Sequence, residues 1–142
     1  MRDEDRGKIR NKKYISRLRD FSGLKWDKIT PTDIDAFVEF SGRLFIFIEA
    51  KIKGTELERG QKLAFERLGD AITKGESYFI IADQEKTEKE PEDGIDYSIL
   101  PVRKYRYKSK WYDPPQHGIT VKEFIITVRK KYGFHSIYDD IV

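Results

Sequence analysis

The chain has 142 residues, enough for one domain around one core, with 38% hydrophobic and 37% charged residues. It has no cysteine and only two histidines, His117 and His135. This excludes disulfides, thiolate zinc sites and cysteine nucleophiles, and speaks against a histidine-rich metal centre. A net charge of +3 decides little by itself, but the charge is unevenly spread along the chain.

The first 28 residues carry ten basic and five acidic side chains. Residues 4–20 are expected to form a helix. Arg6, Arg10, Lys13 and Arg17 fall at helical spacing as a basic stripe, with Ile15, Leu18 and Phe21 on an apolar side. Gly23 ends that helix, and Thr30-Pro31-Thr32 makes a turn. No apolar segment follows the N-terminus, and the uncharged runs at 44–48 and 78–82 are too short to cross a bilayer, so a cytoplasmic protein with no membrane partner is the expectation. A single asparagine, a single methionine and dense Lys/Glu lean towards a heat-adapted source.

Residues 33–40 read as a strand, with Asp33, Asp35, Phe37 and Glu39 on one face. Ser41-Gly42-Arg43 is a tight reversal, so Leu44–Ile52 is expected to return antiparallel. This second strand is apolar on both faces until Glu49, as suits a central strand covered on both sides. Residues 57–74 read as a helix with Leu57, Ala64, Phe65, Leu68, Ala71 and Ile72 as its apolar stripe, Gln61 inside that stripe, and Gly75 as a C-cap. Residues 78–83 form a short buried strand, and the order strand, helix, strand implies parallel pairing. The acidic stretch 84–95 contains Pro91 and Gly94 and reads as an exposed loop. Residues 97–107 are extended. Thr120-Val121-Lys122-Glu123 is a capping box opening a last helix, whose core side holds Val121, Phe124, Ile125, Val128 and Tyr132.

One constellation carries chemistry. A nearly all-apolar run ends in Glu49-Ala50-Lys51, and alternation points Glu49 and Lys51 the same way. Charges at the end of a buried strand are costly unless partnered or at work. Asp35 on the preceding run can add a second carboxylate. Two carboxylates and a lysine suit a divalent metal, an activated water and a phosphate. Asp35, Glu49 and the Ala50 carbonyl are the candidate metal ligands. Lys51 can orient the water or stabilise phosphate charge, and Gln61 can reach the lysine, the water or a DNA backbone.

The pattern Thr32-Asp33-Ile34-Asp35-Ala36-Phe37, a hairpin, Ile48-Glu49-Ala50-Lys51, then Gly60-Gln61 opening a helix, resembles the PD-(D/E)XK nuclease superfamily, in particular its RecB-like and Holliday junction resolvase-like branches. The resemblance covers residues 30–83 and the helix before them. It implies an α/β fold of the restriction-endonuclease-like type, a mixed four-stranded central sheet flanked by helices, over a single domain 1–142. It also implies catalytic Asp35, Glu49, Lys51 and Gln61, a magnesium cofactor for which manganese substitutes, and DNA as partner, with a homodimer expected by analogy. Asp33 is a second candidate for the metal-binding aspartate. Glu4 is a candidate for the glutamate that many members carry on the first helix.

The expected activity is that of a metal-dependent deoxyribonuclease. The alternatives are an inactive nucleic-acid-binding module of the same fold and a structure-specific junction resolvase. The run Val102 to Trp111 alternates Arg103, Tyr105 and Tyr107 with Lys104, Arg106 and Lys108. It reads equally as a DNA-contacting strand or as a lysine-guarded edge strand. Arg103, Lys104, Arg106 and Lys108, with Arg10 and Arg17 of the first stripe, are therefore the candidate nucleic-acid contacts.

Overall fold

In the computed structural model, residues 21–86 and 94–134 are described. The expected helix at 4–20, with Glu4, Arg10 and Arg17, lies outside these residues, as does most of the acidic loop. The chain divides into two compact units, Met1–Thr32 and Asp33–Val142. In the first, Trp26 and Ile29 bond each other across a tight reversal in which Asp27 takes φ of 55°.

The second unit is mixed α/β. Its strands are β1 (Ala36–Phe40), β2 (Leu44–Ile52), β3 (Glu76–Gln84), β4 (Val102–Tyr107) and β5 (Lys110–Tyr112), and its helices are α1 (Arg59–Ala71) and α2 (Val121–Lys131). The sheet has five strands in sequence order rather than the expected four. β2 and β3 are parallel, joined by α1, and the other pairs are antiparallel. Among the described residues no helix is long and apolar enough to cross a membrane.

Alternation along β2 and β3 gives each face its own core. Leu44, Ile46, Ile48, Tyr78, Ile80 and Ala82 face α2, packing on Val121, Phe124 and Val128. Phe47, Phe79 and Ile81 face α1, whose Phe65 stacks on Phe79 at 4.1 Å between ring centroids. The capping box forms as read: the Thr120 hydroxyl accepts from Glu123 N–H, and the Glu123 carboxylate accepts from Thr120 N–H.

Several expectations about the elements need correction. β1 begins at Ala36, so Asp33 and Asp35 precede it. The run 102–111 is not one strand. It turns back at Lys108-Ser109, both at positive φ (48° and 65°), in the two-residue reversal that matches strand twist, which makes β5. A register shift opposite Ile81/Ala82 also places Val102, Tyr105 and Tyr107 against the same core, so the alternation read through Arg103 breaks there.

α1 is shorter than expected, and it is rolled. Ala64 and Leu68 of the expected stripe are exposed, and contact with the sheet runs through Gln61, Phe65 and Gly69. Polar partners on β4 and β5 explain the roll. Arg106 donates to the Glu66 carbonyl and the Asp70 carboxylate, and the Trp111 indole N–H donates to Glu66 Oε2 at 3.0 Å.

Gly75 is not a helix cap; Ile72 is. Gly75 sits against the β1–β2 reversal, where an added Cβ would lie 3.0 Å from the Arg43 carbonyl and 3.1 Å from that of Gly42. Gly75→Ala is therefore expected to destabilise the protein by about 1–3 kcal/mol, because overpacking against backbone outweighs the entropy gained by removing a glycine. The denaturant midpoint measures it, and an unchanged or higher midpoint would contradict this placement.

Candidate functional site

The site lies where β1 stops and β2 continues. β1 pairs with β2 only as far as Ala36 opposite Ile48, so no β1 residue stands opposite Ala50. The chain bends at Asp35, whose Oδ2 replaces the missing ladder partner by accepting the Ala50 N–H at 2.9 Å. In return the Asp35 N–H donates to Glu49 Oε2 at 3.2 Å. A strand residue's N–H and C=O point to the same side, so the Ala50 carbonyl also faces this opening. From the other flank Gln61 of α1 donates its amide to Glu49 Oε1 at 3.1 Å. That is possible because α1 is rolled to bring Gln61 over the sheet.

Glu49 is 4% exposed, surrounded by the Phe47 and Ile81 layer. Burial first, then the charge of Asp35, raises its carboxyl from 4.5 to about 7. The Asp35 N–H, Lys51 and Gln61 work in the opposite direction without cancelling the rise. The two hydrogen bonds and the nearby ammonium thus offset only part of the cost of burying this charge. Oxygen donors from Asp35, Glu49 and the Ala50 carbonyl fit a hard divalent ion, which needs few protein ligands. Among the described residues no third acidic or imidazole side chain joins these two carboxylates. Asp33 is exposed on the chain leading in. It is Asp35 that exchanges hydrogen bonds with the Glu49–Ala50 backbone and carboxylate.

Lys51 follows on the same face as Glu49, half-buried, and stands opposite Asp83 in the β2–β3 register. Asp83 is already engaged: the Arg103 Nε donates to its Oδ1 at 2.6 Å, and Arg103 also donates to the Ile52 and Thr55 carbonyls. The neighbouring carboxylate is thus neutralised by another cation, which leaves Lys51 with Glu49 as the acid on its own strand.

The candidate nucleic-acid contacts divide into two kinds. Arg103 and Arg106 have side chains only 16% and 9% exposed and are spent on internal ion pairs with Asp83, Glu66 and Asp70. The expectation that they offer free charge to phosphates is corrected on that ground. Lys104 and Lys108 are exposed. Lys108 sits in the β4–β5 reversal, at the far end of the sheet from Glu49. Lys104 pairs with Ile81, which pairs with Glu49, so it stands in the same row on the same face, two strands or about 10 Å away.

The sequence reading missed Tyr97. It lies in a single 3-10 turn, Tyr97–Ile99, capped by the Asp96 carboxylate accepting from Ser98 N–H. Its hydroxyl donates to Asp35 Oδ2 at 3.1 Å. Burial and the Asp35 charge push its phenol well above the ordinary tyrosine range. The Asp-x-Ser turn signal was present in the sequence, but nothing in it indicated that the turn would close on a residue 62 positions earlier. No family model, curated protein or solved structure matches this chain.

Proposed function

We propose that the chain is a magnesium-dependent DNA nuclease that hydrolyses phosphodiester bonds. The observation carrying this reading is the pair of carboxylates, Asp35 and Glu49, the first accepting the Ala50 N–H and the second the Asp35 N–H near the end of a buried strand, with Lys51 on the same face as Glu49 and Gln61 bonded to it. Asp35, Glu49 and the Ala50 carbonyl would hold the magnesium ion. When bound, the ion polarises the phosphate and lowers the pKa of an attacking water.

The chain's own residues do the rest. Glu49 is held in one orientation by the Asp35 N–H and the Gln61 amide, so its carboxylate does not have to reorganise during the reaction. Lys51 places a positive charge where negative charge grows on the phosphate, and the Arg103–Asp83 pair keeps it from being diverted across the strand. Lys104, in the Glu49 row, offers a surface charge to a neighbouring phosphate. The resemblance to PD-(D/E)XK nucleases supports the same reading from the sequence.

Incubation with plasmid and single-stranded DNA tests it. Magnesium or manganese is expected to support strand cleavage, and chelator to abolish it. Salt-sensitive DNA binding without cleavage under either metal would leave instead a binding module of this fold. Four-way junction and flap substrates in the same assay decide whether cleavage is structure-specific.

A further inference from the structure

We infer that Tyr97 is a positioning residue that makes Asp35 a single-oxygen ligand and thereby biases the site towards a small divalent cation. The inference rests on the reading of Asp35 and Glu49 as metal ligands and adds the cation preference of that site.

The Ala50 N–H and the Tyr97 hydroxyl approach Asp35 from different elements, at 2.9 Å and 3.1 Å, and both end on Oδ2. An oxygen that accepts two donors has little lone-pair capacity left for a cation. The carboxylate is thereby pinned about its side-chain torsion with Oδ1 as the oxygen presented. Calcium takes 6–8 oxygens and often accepts carboxylates through both, whereas magnesium requires octahedral geometry at short distances and is served by one oxygen per carboxylate. A second donor on Oδ2 therefore penalises calcium more than magnesium or manganese. The backbone donor alone cannot lock the group, because one bond leaves rotation about it open.

The position of Tyr97 supports a specific role for its hydroxyl. The ring packs against the core under α2, so the body of the side chain has its own structural function. The hydroxyl is separable from it, and Tyr97→Phe removes one hydrogen bond and nothing else. Groups that orient metal ligands in this way are typically worth 10–100-fold in metal affinity.

The test is calorimetric titration of manganese, magnesium and calcium into the intact protein, wild type and Tyr97→Phe, with Asp35→Asn as reference. Melting in chelator confirms that each variant is folded. Wild type is expected to bind manganese and magnesium more tightly than calcium. Tyr97→Phe is expected to lose roughly tenfold in manganese affinity and to lose less for calcium, so that the manganese-to-calcium ratio falls. Equal affinities and an unchanged ratio in wild type and Tyr97→Phe, with Asp35→Asn impaired, would overturn the role of Tyr97 and leave the metal site standing. Binding of no divalent cation by wild type would remove both the metal reading and this inference. A lower melting temperature in Tyr97→Phe with unchanged affinities would mark the hydroxyl as structural only, and would equally overturn it.

Discussion

Lys51→Ala is expected to lower magnesium-dependent DNA cleavage by about 10²–10³-fold while leaving the melting temperature in chelator within a few degrees of wild type. The magnitude follows from removing one preorganised positive group aimed at developing charge. The small effect on stability follows from where the side chain lies. Lys51 is half-buried at a strand end, and its cross-strand neighbour Asp83 already has Arg103 as a partner. Losing the ammonium leaves no buried carboxylate newly unpaired except Glu49, whose carboxyl shifts further up and takes a proton instead. Lys53→Ala is the matched control, because the Lys53 side chain is 69% exposed and lies 3.9 Å from Glu85. It is expected to cleave like wild type. Equal cleavage by Lys51→Ala and wild type would remove the lysine from the chemistry.

A second large effect concerns stability without metal. The Glu49 carboxyl titrates near 4.5 when unfolded and near 7 in the folded protein. Between those values the folded state holds a proton that the unfolded state has released, so the free energy of unfolding falls as pH rises through this window. The fall is about 2–3 kcal/mol between pH 5 and 8. It flattens above the folded value, where both states are ionised. Asp70 and Asp96 titrate below their ordinary range and so act at lower pH, outside the window.

Glu49→Gln is expected to abolish this slope. Asp35→Asn is expected to reduce it and to be as stable as wild type or more so at pH 8 in chelator, because a repulsive charge is gone, although its cleavage is lost. Magnesium is expected to reduce the wild-type slope, since cation and proton compete for one carboxylate. Denaturant unfolding at several pH values, with chelator and with magnesium, measures all of this. A slope identical in wild type and Glu49→Gln would show that Glu49 does not carry it.

Much of this arrangement could be read from local pattern. The apolar run Leu44–Ile48 fixed β2 as an interior strand, and the reversal Ser41-Gly42 fixed its partner, because both signals depend on neighbouring residues alone. Helical spacing put Gln61 on the sheet side of α1 within reach of Glu49, but Asp35 joins them from a bend before β1 and not by alternation along a strand. What escaped depends on distant contacts. Gly75 read as a cap because a glycine after a helix usually is one, but its reason is the approach of the Arg43 carbonyl from another hairpin. The roll of α1 was set by Arg106 and Trp111, 36 to 45 residues away in sequence from their α1 partners. Ion pairs with Asp83 and Asp70 withdrew Arg103 and Arg106 from solvent, and a linear reading of charge could not see these partners. The Lys108-Ser109 reversal lacks the Asn-Gly signature that two successive positive φ values usually show.

The most direct measurement is anomalous diffraction from a crystal soaked in manganese. A single strong peak is expected within short metal–oxygen reach of both Asp35 and Glu49 and of the Ala50 carbonyl, and it should be absent from an Asp35→Asn crystal soaked in the same way. No peak there in wild type, with the Lys51 ammonium lying between the two carboxylates, would instead make the cluster an internal ion pair and contradict a nuclease centre at this strand end.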